Sequence, residues 1–360
     1  MRKARCPFAF PPRVTYGMMN ARAARNVSSY DIMTVSGRVT VGIPTINRSN
    51  LALRSIQSVL DQTYRDIEVI VSDDASTDDT VERVRAIHDP RLVLFEQKQR
   101  LGLVGNFDFC LRHASGEFFL LLGDDDVLLP KAIERLTEPF LRQIADFHPS
   151  AVGAVWSPCQ IADTEGRRLW ITDSGPLFET SASMIAELLA GNRGSRFSSI
   201  LVRTADAIAV GGYQKSHGDH CDLGNWGRAA LLHDYMVCIH EPLVQYTQHH
   251  GSTTSQSSVK EWQDWASVMH ADLLASARAS RDPNAEKQIK SSRNNLISGV
   301  TLTILIQTIG KPGWIRNALL QSLRTPGAIF TPYMLRRLLK DGRKVLTLRQ
   351  NSKRARRAAS

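Results

Sequence analysis

The sequence contains little cysteine, and its cysteines are widely separated. Five occur among the 360 residues, and no two of them form a CxxC pair: Cys6, Cys110, Cys159, Cys221 and Cys238. An odd, scattered set of this kind argues against a disulfide framework and against a zinc site built on paired cysteines. We therefore expect a chain that works in a reducing compartment such as the cytosol.

Long apolar runs are also missing. The longest mostly apolar stretch, LISGVTLTILIQTI at 296–309, has 14 residues and includes Ser, Thr and Gln, whereas a membrane-spanning helix needs about 20. The N-terminal MRKARCPFAFPPR is basic but has no apolar core of signal-peptide length. These absences predict a soluble chain, which could still contact a membrane surface.

Glycine-rich phosphate loops are absent from the first predicted strand. Neither GxxxxGK[ST] nor GxGxxG follows it, which argues against a P-loop ATPase and against a dinucleotide-binding enzyme.

Acidic residues are scarce in the C-terminal part of the chain. Residues 311–360 hold 13 Lys and Arg and a single acidic residue, Asp341, which gives 13 − 1 = +12. The net charge of the whole chain is +10, so the other residues together are close to neutral. Residues 286–348 alternate apolar and basic residues, which suits either an anionic membrane surface or a helical appendage with a solvated basic face. Nucleic acid is not expected as a partner, because aromatic residues do not interleave with these charges.

Strand and helix patterns alternate through the first half of the chain. The strands are expected at VTVGIP (39–44), IEVIVS (67–72), RLVLFEQ (91–97) and EFFLLLG (117–123), and the first helix is expected to run from a cap at Ser49 or Asn50 to about Gln62. Alternation at this spacing predicts a mostly parallel, Rossmann-like α/β sheet flanked by helices.

Acidic runs follow two of these strands. Asp73 and Asp74 end the second strand, and Asp124, Asp125 and Asp126 end the fourth. The carboxyl ends of parallel strands lie along one edge of the sheet, so the two runs should converge there. A solvated loop is the simpler interpretation of an acidic run, but apolar residues flank the second run on both sides. A Mg²⁺ or Mn²⁺ ion that clamps a diphosphate would relieve the repulsion.

Three segments resemble family 2 glycosyltransferases, the large inverting group with a GT-A fold. VTVGIPTINRSNLALRSIQSVLDQTYRDIEVIVSDDASTDDT is similar to the opening of that family, and GEFFLLLGDDDVLLP is similar to its DxD segment. YQKSHGDHCDLGNWGRAALLHDYMVCIHEPLVQYTQHHGSTT resembles, more loosely, its acceptor-side half. The resemblance covers residues 38–255.

This resemblance implies roles for particular residues. Contacts to the nucleotide-sugar fall on Pro44, Thr45, Asp73, Asp74, Lys98, Arg100 and Asp124; metal ligands fall on Asp125, Asp126 and His249; the catalytic base falls on Asp222, with Asp219 as its rival. Two departures matter: Gly123 stands where many members have the first acidic residue of D-x-D-D, and Asp222 precedes Arg228 by six residues rather than four.

The resulting expectation is an enzyme with several parts. A flexible basic leader (1–37) precedes a GT-A domain (38–255) whose halves, 38–135 and 136–255, bind the nucleotide-sugar and the acceptor. After the GT-A domain we expect a basic helical appendage (256–348), which could associate with a membrane. A disordered basic tail (349–360) is expected to follow it.

The expected reaction is a metal-assisted transfer of a sugar, with inversion, from a nucleotide-diphosphate sugar to a hydroxyl of a saccharide or lipid-linked saccharide. It would take place in the cytoplasm or at the inner face of the plasma membrane, in surface polysaccharide or glycoconjugate assembly. Two alternatives stay open: a nucleotidyltransferase, and a non-catalytic nucleotide- or nucleic-acid-binding protein that uses the basic tail.

Overall fold

Two β-sheets organise the part of the chain that the structure describes. The structure is a computed structural model, which describes residues 37–143, 148–248 and 258–308. Its strands are β1 Val39–Thr45, β2 Ile67–Asp73, β3 Leu92–Glu96, β4 Phe118–Leu121, β5 Val127–Leu128, β6 Val152–Trp156, β7 Cys159–Ala162, β8 Arg168–Ile171, β9 Phe178–Thr180, β10 Ile200–Arg203, β11 Tyr235–Cys238 and β12 Val244–Thr247. Its α-helices are α1 Ser49–Leu60, α2 Thr80–Arg85, α3 Gly102–Arg112, α4 Ala132–Leu141, α5 Ser181–Leu189, α6 Thr204–Ala209, α7 Cys221–Ala230, α8 Val259–Ala279 and α9 Ala285–Thr308.

The larger sheet has eight strands in the order β3-β2-β1-β4-β10-β6-β11-β9. Strands β3, β2, β1 and β4 are parallel, β10 is antiparallel to both of its neighbours, and β11 is parallel to β6. The mostly parallel α/β sheet and the four strands predicted in its first half are confirmed. A second sheet, in the order β5-β12-β7-β8, was not predicted from the sequence.

Helices cover both faces of the larger sheet. In β1, Val39, Val41 and Ile43 face a buried cluster that includes residues of α1 and α4. On the opposite face, Gly42 lies so close to α3 that a Cβ atom would meet the Cβ of Cys110 at 2.7 Å. A strand buried on both faces needs the near-continuous apolar run that β1 and β2 show.

Helix α1 begins where expected but is not capped as expected. The N-cap position is Arg48, whose own side chain makes no capping hydrogen bond. Instead, Ser49 and Asn50 accept hydrogen bonds from Nη1 of Arg83 in α2, at 3.1 and 2.6 Å. The two side chains therefore join neighbouring helices, and the predicted cap is wrong.

Helices α8 and α9 pack into an apolar cluster that also contains buried residues of the larger sheet. Trp262, Met269, Leu273 and Ile289 are buried in one cluster with Trp226 of α7. In the described parts of the chain, no helix combines the length and the hydropathy needed to cross a membrane. The predicted leader up to residue 36, the appendage beyond 308 and the tail at 349–360 lie outside the described residues. The predicted domain boundaries stay predictions.

Candidate active site

The ends of β1 and β2 form the first part of the candidate site. Thr45 pairs with Asp73 in the parallel register, and the amide of Asp74 donates to the carbonyl of Thr45 at 2.9 Å. The loops that follow are joined by Asn47, whose amide donates to Oγ of Ser76 at 2.8 Å and whose Oδ1 accepts from the amide of Thr77 at 2.7 Å. The two strand ends therefore form one connected edge.

The two aspartates at the end of β2 have different surroundings. Asp73 is 1% exposed, and its Oδ1 accepts from the amide of Ser76, while its Oδ2 has no hydrogen-bond partner among the described residues. Asp74 uses both oxygens on the amides of Leu101 and Gly102, at the start of α3. Since a buried unpaired oxygen is costly, Asp73 is the better placed of the two to accept from a ligand, while Asp74 holds α3 in place.

The acidic loop after β4 lies beside this edge. Oδ2 of Asp124 accepts from Oγ1 of Thr45 at 2.9 Å. Nη1 of Arg48 lies 2.9 Å from Oδ1 of Asp124 and 3.1 Å from Oδ2 of Asp125. Two carboxylates therefore converge on a single cationic nitrogen at the carboxyl end of β1.

Asp126 faces the interior instead. It is fully buried, its Oδ2 accepts from Oγ of Ser198 at 2.5 Å, and its Oδ1 accepts from the amide of Thr247 at 3.0 Å. The same Ser198 hydroxyl accepts from the amide of Gly123 at 3.2 Å. Asp126 thus ties the acidic loop to β12 and to the turn before β10.

Burial dominates the protonation of this loop. It raises the pKa of Asp124 to about 6, a rise that the charge of Arg48 opposes and that of Asp125 reinforces. Burial, with the neighbouring charge of Asp125, also raises the pKa of Asp126 well above its ordinary value. A cation that binds at Asp124 and Asp125 would oppose these rises.

Arg54 supports the acidic loop from α1. Its Nη2 donates to the main-chain carbonyl of Asp125 at 2.8 Å and to Oγ1 of Thr247 at 2.9 Å. It thereby joins α1, the acidic loop and the end of β12, directly before the segment that contains His249. His249 itself lies outside the described residues.

Asp222 and Asp219 lie near the start of α7. Oδ1 of Asp222 accepts from the amide of Leu223 at 2.7 Å. Burial raises the pKa of Asp222 to about 6, and the charge of Asp219 adds to the rise. Oδ2 of Asp219 accepts from Nε1 of Trp262 in α8 at 3.0 Å. Asp222 is therefore poised near neutral pH, whereas Asp219 is bonded to α8.

The two predicted basic contacts lie at the end of β3. Lys98 and Arg100 are exposed in the loop that leads from β3 to α3. Their strand is next to β2 in the sheet, so the loop borders the edge that holds Asp73. Their predicted contact with a diphosphate stays a prediction.

The residues present suit a hard divalent cation only in part. The convergence of Asp124 and Asp125 on Arg48 shows that a cation can approach two carboxylates at once. Among the described residues, no group of three or more His, Cys, Asp or Glu could hold a metal. Two carboxylates are enough for Mg²⁺ or Mn²⁺ when substrate phosphates and waters complete the shell.

Three side chains of this site were not predicted from the sequence. Arg48 and Arg54 contact the acidic loop, and Ser198 bonds Asp126. Arg48 could have been found as a cation three residues after the end of the first strand. Nothing local in the sequence marks Arg54 or Ser198, because their partners are 71 and 72 residues away.

The N-terminal part of the described chain is similar to known glycosyltransferases. Residues 40–170 match the family model for glycosyl transferase family 2. The chain is 40% identical over 104 residues to the GalNAc(5)-diNAcBac-PP-undecaprenol beta-1,3-glucosyltransferase of Campylobacter jejuni. This match covers 28% of this chain and 34% of that protein. It is 32% identical over 109 residues to the UDP-Glc:alpha-D-GlcNAc-diphosphoundecaprenol beta-1,3-glucosyltransferase WfgD of Escherichia coli, over 30% of this chain and 43% of that protein.

A solved structure extends the likeness beyond the matched sequence. TarS 1–349 of S. aureus in complex with UDP-GlcNAc superposes with a TM-score of 0.56 at 16% identity, over 81% of this chain and 78% of that chain. This likeness confirms the predicted GT-A fold. The sequence matches span less than half the length of the two curated relatives. Residues 40–170 are therefore similar to glycosyl transferase family 2, and the larger part of the chain shares the fold of the solved transferase.

Proposed function

We propose that the protein transfers a sugar, with inversion and with the help of a divalent metal, from a nucleotide-diphosphate sugar to a hydroxyl of a lipid-linked saccharide. The observation that carries the proposal is the convergence of Asp124 and Asp125 on Nη1 of Arg48, at the strand edge that also holds Asp73. Oδ2 of Asp73 is buried and unpaired among the described residues. Such an edge can hold both a nucleoside and a metal-bound diphosphate.

The relatives suggest the chemical class of the substrates. The name of the E. coli relative specifies UDP-Glc as donor, and the names of both relatives specify a saccharide linked through diphosphate to undecaprenol. We propose a UDP-sugar as the first donor to test, with GDP and dTDP sugars next. A lipid-linked acceptor would place the reaction at the inner face of the plasma membrane, where the basic residues beyond 308 could contact anionic lipid.

The donor would lie across the ends of β1, β2 and β4. Asp73 would accept a hydrogen bond from the nucleoside, and Thr45 would keep Asp124 turned toward the ribose and the metal. Asp125, with Asp124, would hold the metal, which supplies positive charge to the leaving diphosphate. We give Asp126 a supporting role, since Ser198 and Thr247 already occupy both of its oxygens.

Asp222 would act as the base. Its Oδ1 is occupied by the amide of Leu223, so we assign proton transfer to Oδ2. The acceptor oxygen would bond to the anomeric carbon while the bond from that carbon to the phosphate oxygen breaks and the hydroxyl proton passes to Asp222. A single displacement of this kind inverts the anomeric configuration. A pKa of about 6 suits a base that works near neutral pH.

The test is the thermal stability of the full chain with UDP, dTDP, GDP and CMP, each with Mn²⁺, with Mg²⁺ and with EDTA. A ligand that binds only the folded state raises the melting temperature by mass action. We expect one nucleoside diphosphate to stabilise the protein, and we expect EDTA or Asp125→Ala to abolish the effect.

Asp61→Ala is the matched control, because Asp61 is an exposed aspartate at the opposite end of α1. It should leave the response intact. No shift with any nucleotide would refute the proposal. Deletion of residues 309–360 then distinguishes an enzyme from a non-catalytic binding protein. A binding protein that relies on the basic tail would lose its ligand, whereas an enzyme would keep its donor site.

A further inference from the structure

Arg196 belongs to a turn that is bonded to the acidic loop. Its amide donates to Oγ of Ser199 at 3.2 Å, and its carbonyl accepts from the same hydroxyl at 2.8 Å. The neighbouring Ser198 bonds Asp126 and Gly123. The main chain at Arg196 is therefore held in place beside the acidic loop, although its side chain is exposed.

The guanidinium of Arg196 lies over Tyr246. Its Cζ is 5.5 Å from the centroid of the Tyr246 ring, and Tyr246 directly precedes Thr247, whose amide bonds Asp126. Burial and the charge of Asp126 raise the pKa of Tyr246, and the charge of Arg196 opposes that rise. The same guanidinium acts to lower the pKa of Asp222. Arg196 thus exerts its charge on the proposed base and on a side chain that also responds to the acidic loop.

The guanidinium keeps donors for a ligand. Its Nη1 donates to the carbonyl of Ser195 at 3.0 Å. No ion pair joins it to a carboxylate within residues 37–143, 148–248 and 258–308. A guanidinium held over an aromatic ring and without a carboxylate partner is well suited to bind phosphate through two parallel hydrogen bonds.

We propose that Arg196 binds the β-phosphate of the donor, the phosphate that carries the sugar. The inference rests on the proposed function. The anomeric carbon must lie between the base and the leaving phosphate. Arg196 lies over Tyr246, the neighbour of the residue whose amide bonds Asp126, and its charge also acts on Asp222. It would neutralise charge on the departing phosphate.

The test compares the binding of a nucleoside diphosphate with that of its monophosphate. Binding constants for UDP and UMP with Mn²⁺ are measured by calorimetry on the full-length wild type, Arg196→Gln and Arg196→Lys, with GDP/GMP or dTDP/dTMP in place of UDP/UMP if that nucleotide stabilises the wild type. We expect Arg196→Gln to raise the Kd of the diphosphate about tenfold, the loss of one charged hydrogen bond. The monophosphate should bind within about twofold of wild type. Lysine keeps the charge but not the paired donors, so Arg196→Lys should give a smaller loss.

Arg65→Gln is the matched control, because Arg65 is an exposed arginine just before β2, at the edge of the sheet opposite the site. It should leave both affinities unchanged. A second readout is the pH profile: without Arg196, the acid limb set by Asp222 should move to higher pH.

Unchanged diphosphate affinity in Arg196→Gln would overturn the inference while leaving the proposed function intact. This includes the case in which only the KM of the lipid-linked acceptor rises, which would place an acceptor phosphate at Arg196. Equal weakening of the monophosphate and the diphosphate would also overturn it, since it would point to general damage to the site. If no nucleoside diphosphate binds to the wild type, the proposed function fails together with the inference.

Discussion

Asp124→Asn should stabilise the ligand-free protein increasingly as the pH rises. Asp124 is only 6% exposed, next to Asp125 and Asp126, and it ionises with a pKa of about 6. An acid whose pKa is higher in the folded state binds more protons when folded, so the free energy of unfolding falls as the pH rises through the folded pKa. The asparagine has no such proton to lose, and it can still accept from Thr45.

The size of the effect follows from the two pKa values. For a carboxyl group with a pKa of 3.8 in the unfolded chain and about 6 in the folded protein, the free energy of unfolding drops by about 1.4 kcal/mol between pH 5 and pH 7.5. The difference in unfolding free energy between Asp124→Asn and wild type should therefore shift by about this amount toward the variant. Asp126, whose pKa the charge of Asp124 also raises, would contribute in the same direction.

The assay is urea unfolding of wild type and variant at pH 5 and pH 7.5, without metal. Asp89→Asn is the control, because the pKa of Asp89 is shifted in the opposite direction: hydrogen bonds from Arg91 lower it to about 2. Asp89 is ionised in both states across this range, so its variant should show a constant offset and no slope. A flat or reversed difference for Asp124→Asn would mean that Arg48 outweighs burial and that the loop is not strained by its own charge.

Three further predictions concern catalysis and backbone geometry. Asp222→Asn should lower kcat by about 10²–10⁴-fold while leaving donor affinity intact. In the wild type, kcat/KM should decrease below a pH near 6, because Asp222 is then protonated. A transfer assay across pH checks both, and undiminished activity of the variant would exclude Asp222 as the base. Ala75 has φ +61°, so Ala75→Gly should raise the unfolding free energy by about 0.5 kcal/mol in a urea titration, and a loss of stability would contradict this. Gly218 has φ +49°, and a Cβ there would meet Cδ2 of Trp265 at 2.0 Å, so Gly218→Ala should lower the unfolding free energy by about 3 kcal/mol or more; a loss below 1 kcal/mol would show that Trp265 can move aside.

Strands β1 and β2 could be predicted from the sequence because they are long and buried on both faces, and β4, although it has four residues, lies in the continuous apolar run FFLLL. Strands β1 and β2 each have seven residues, and their carboxyl ends carry the polar residues of the site. The second sheet could not be predicted in the same way. Its strand β5 has two residues and β12 has four, so neither shows enough alternation to indicate a strand before its partner is known.

The site was predictable in composition but not in detail. Parallel topology brings Thr45 to Asp73 and to Asp124, as expected from residues at strand ends. The expectation that Asp74 contacts the nucleotide could not take into account that both of its oxygens bond amides at the start of α3. Whether a carboxylate faces a ligand or an amide depends on contacts between distant segments, and spacing alone does not report them.

The three consecutive aspartates differ in what surrounds them, and this accounts for the glycine before them. Asp126 turns inward to Ser198 and Thr247, while Asp124 and Asp125 turn toward Arg48. A Cβ at Gly123 would lie 2.9 Å from Oδ1 of Asp125 and 3.1 Å from Oδ2 of Asp126. An aspartate there would crowd both carboxylates and add a fourth negative charge to a loop in which burial already raises the pKa of Asp124 and Asp126. Gly123 therefore leaves room for the two carboxylates that follow it. It leaves the pair that converges on Arg48 in place, and that pair is where we propose the metal and the donor bind.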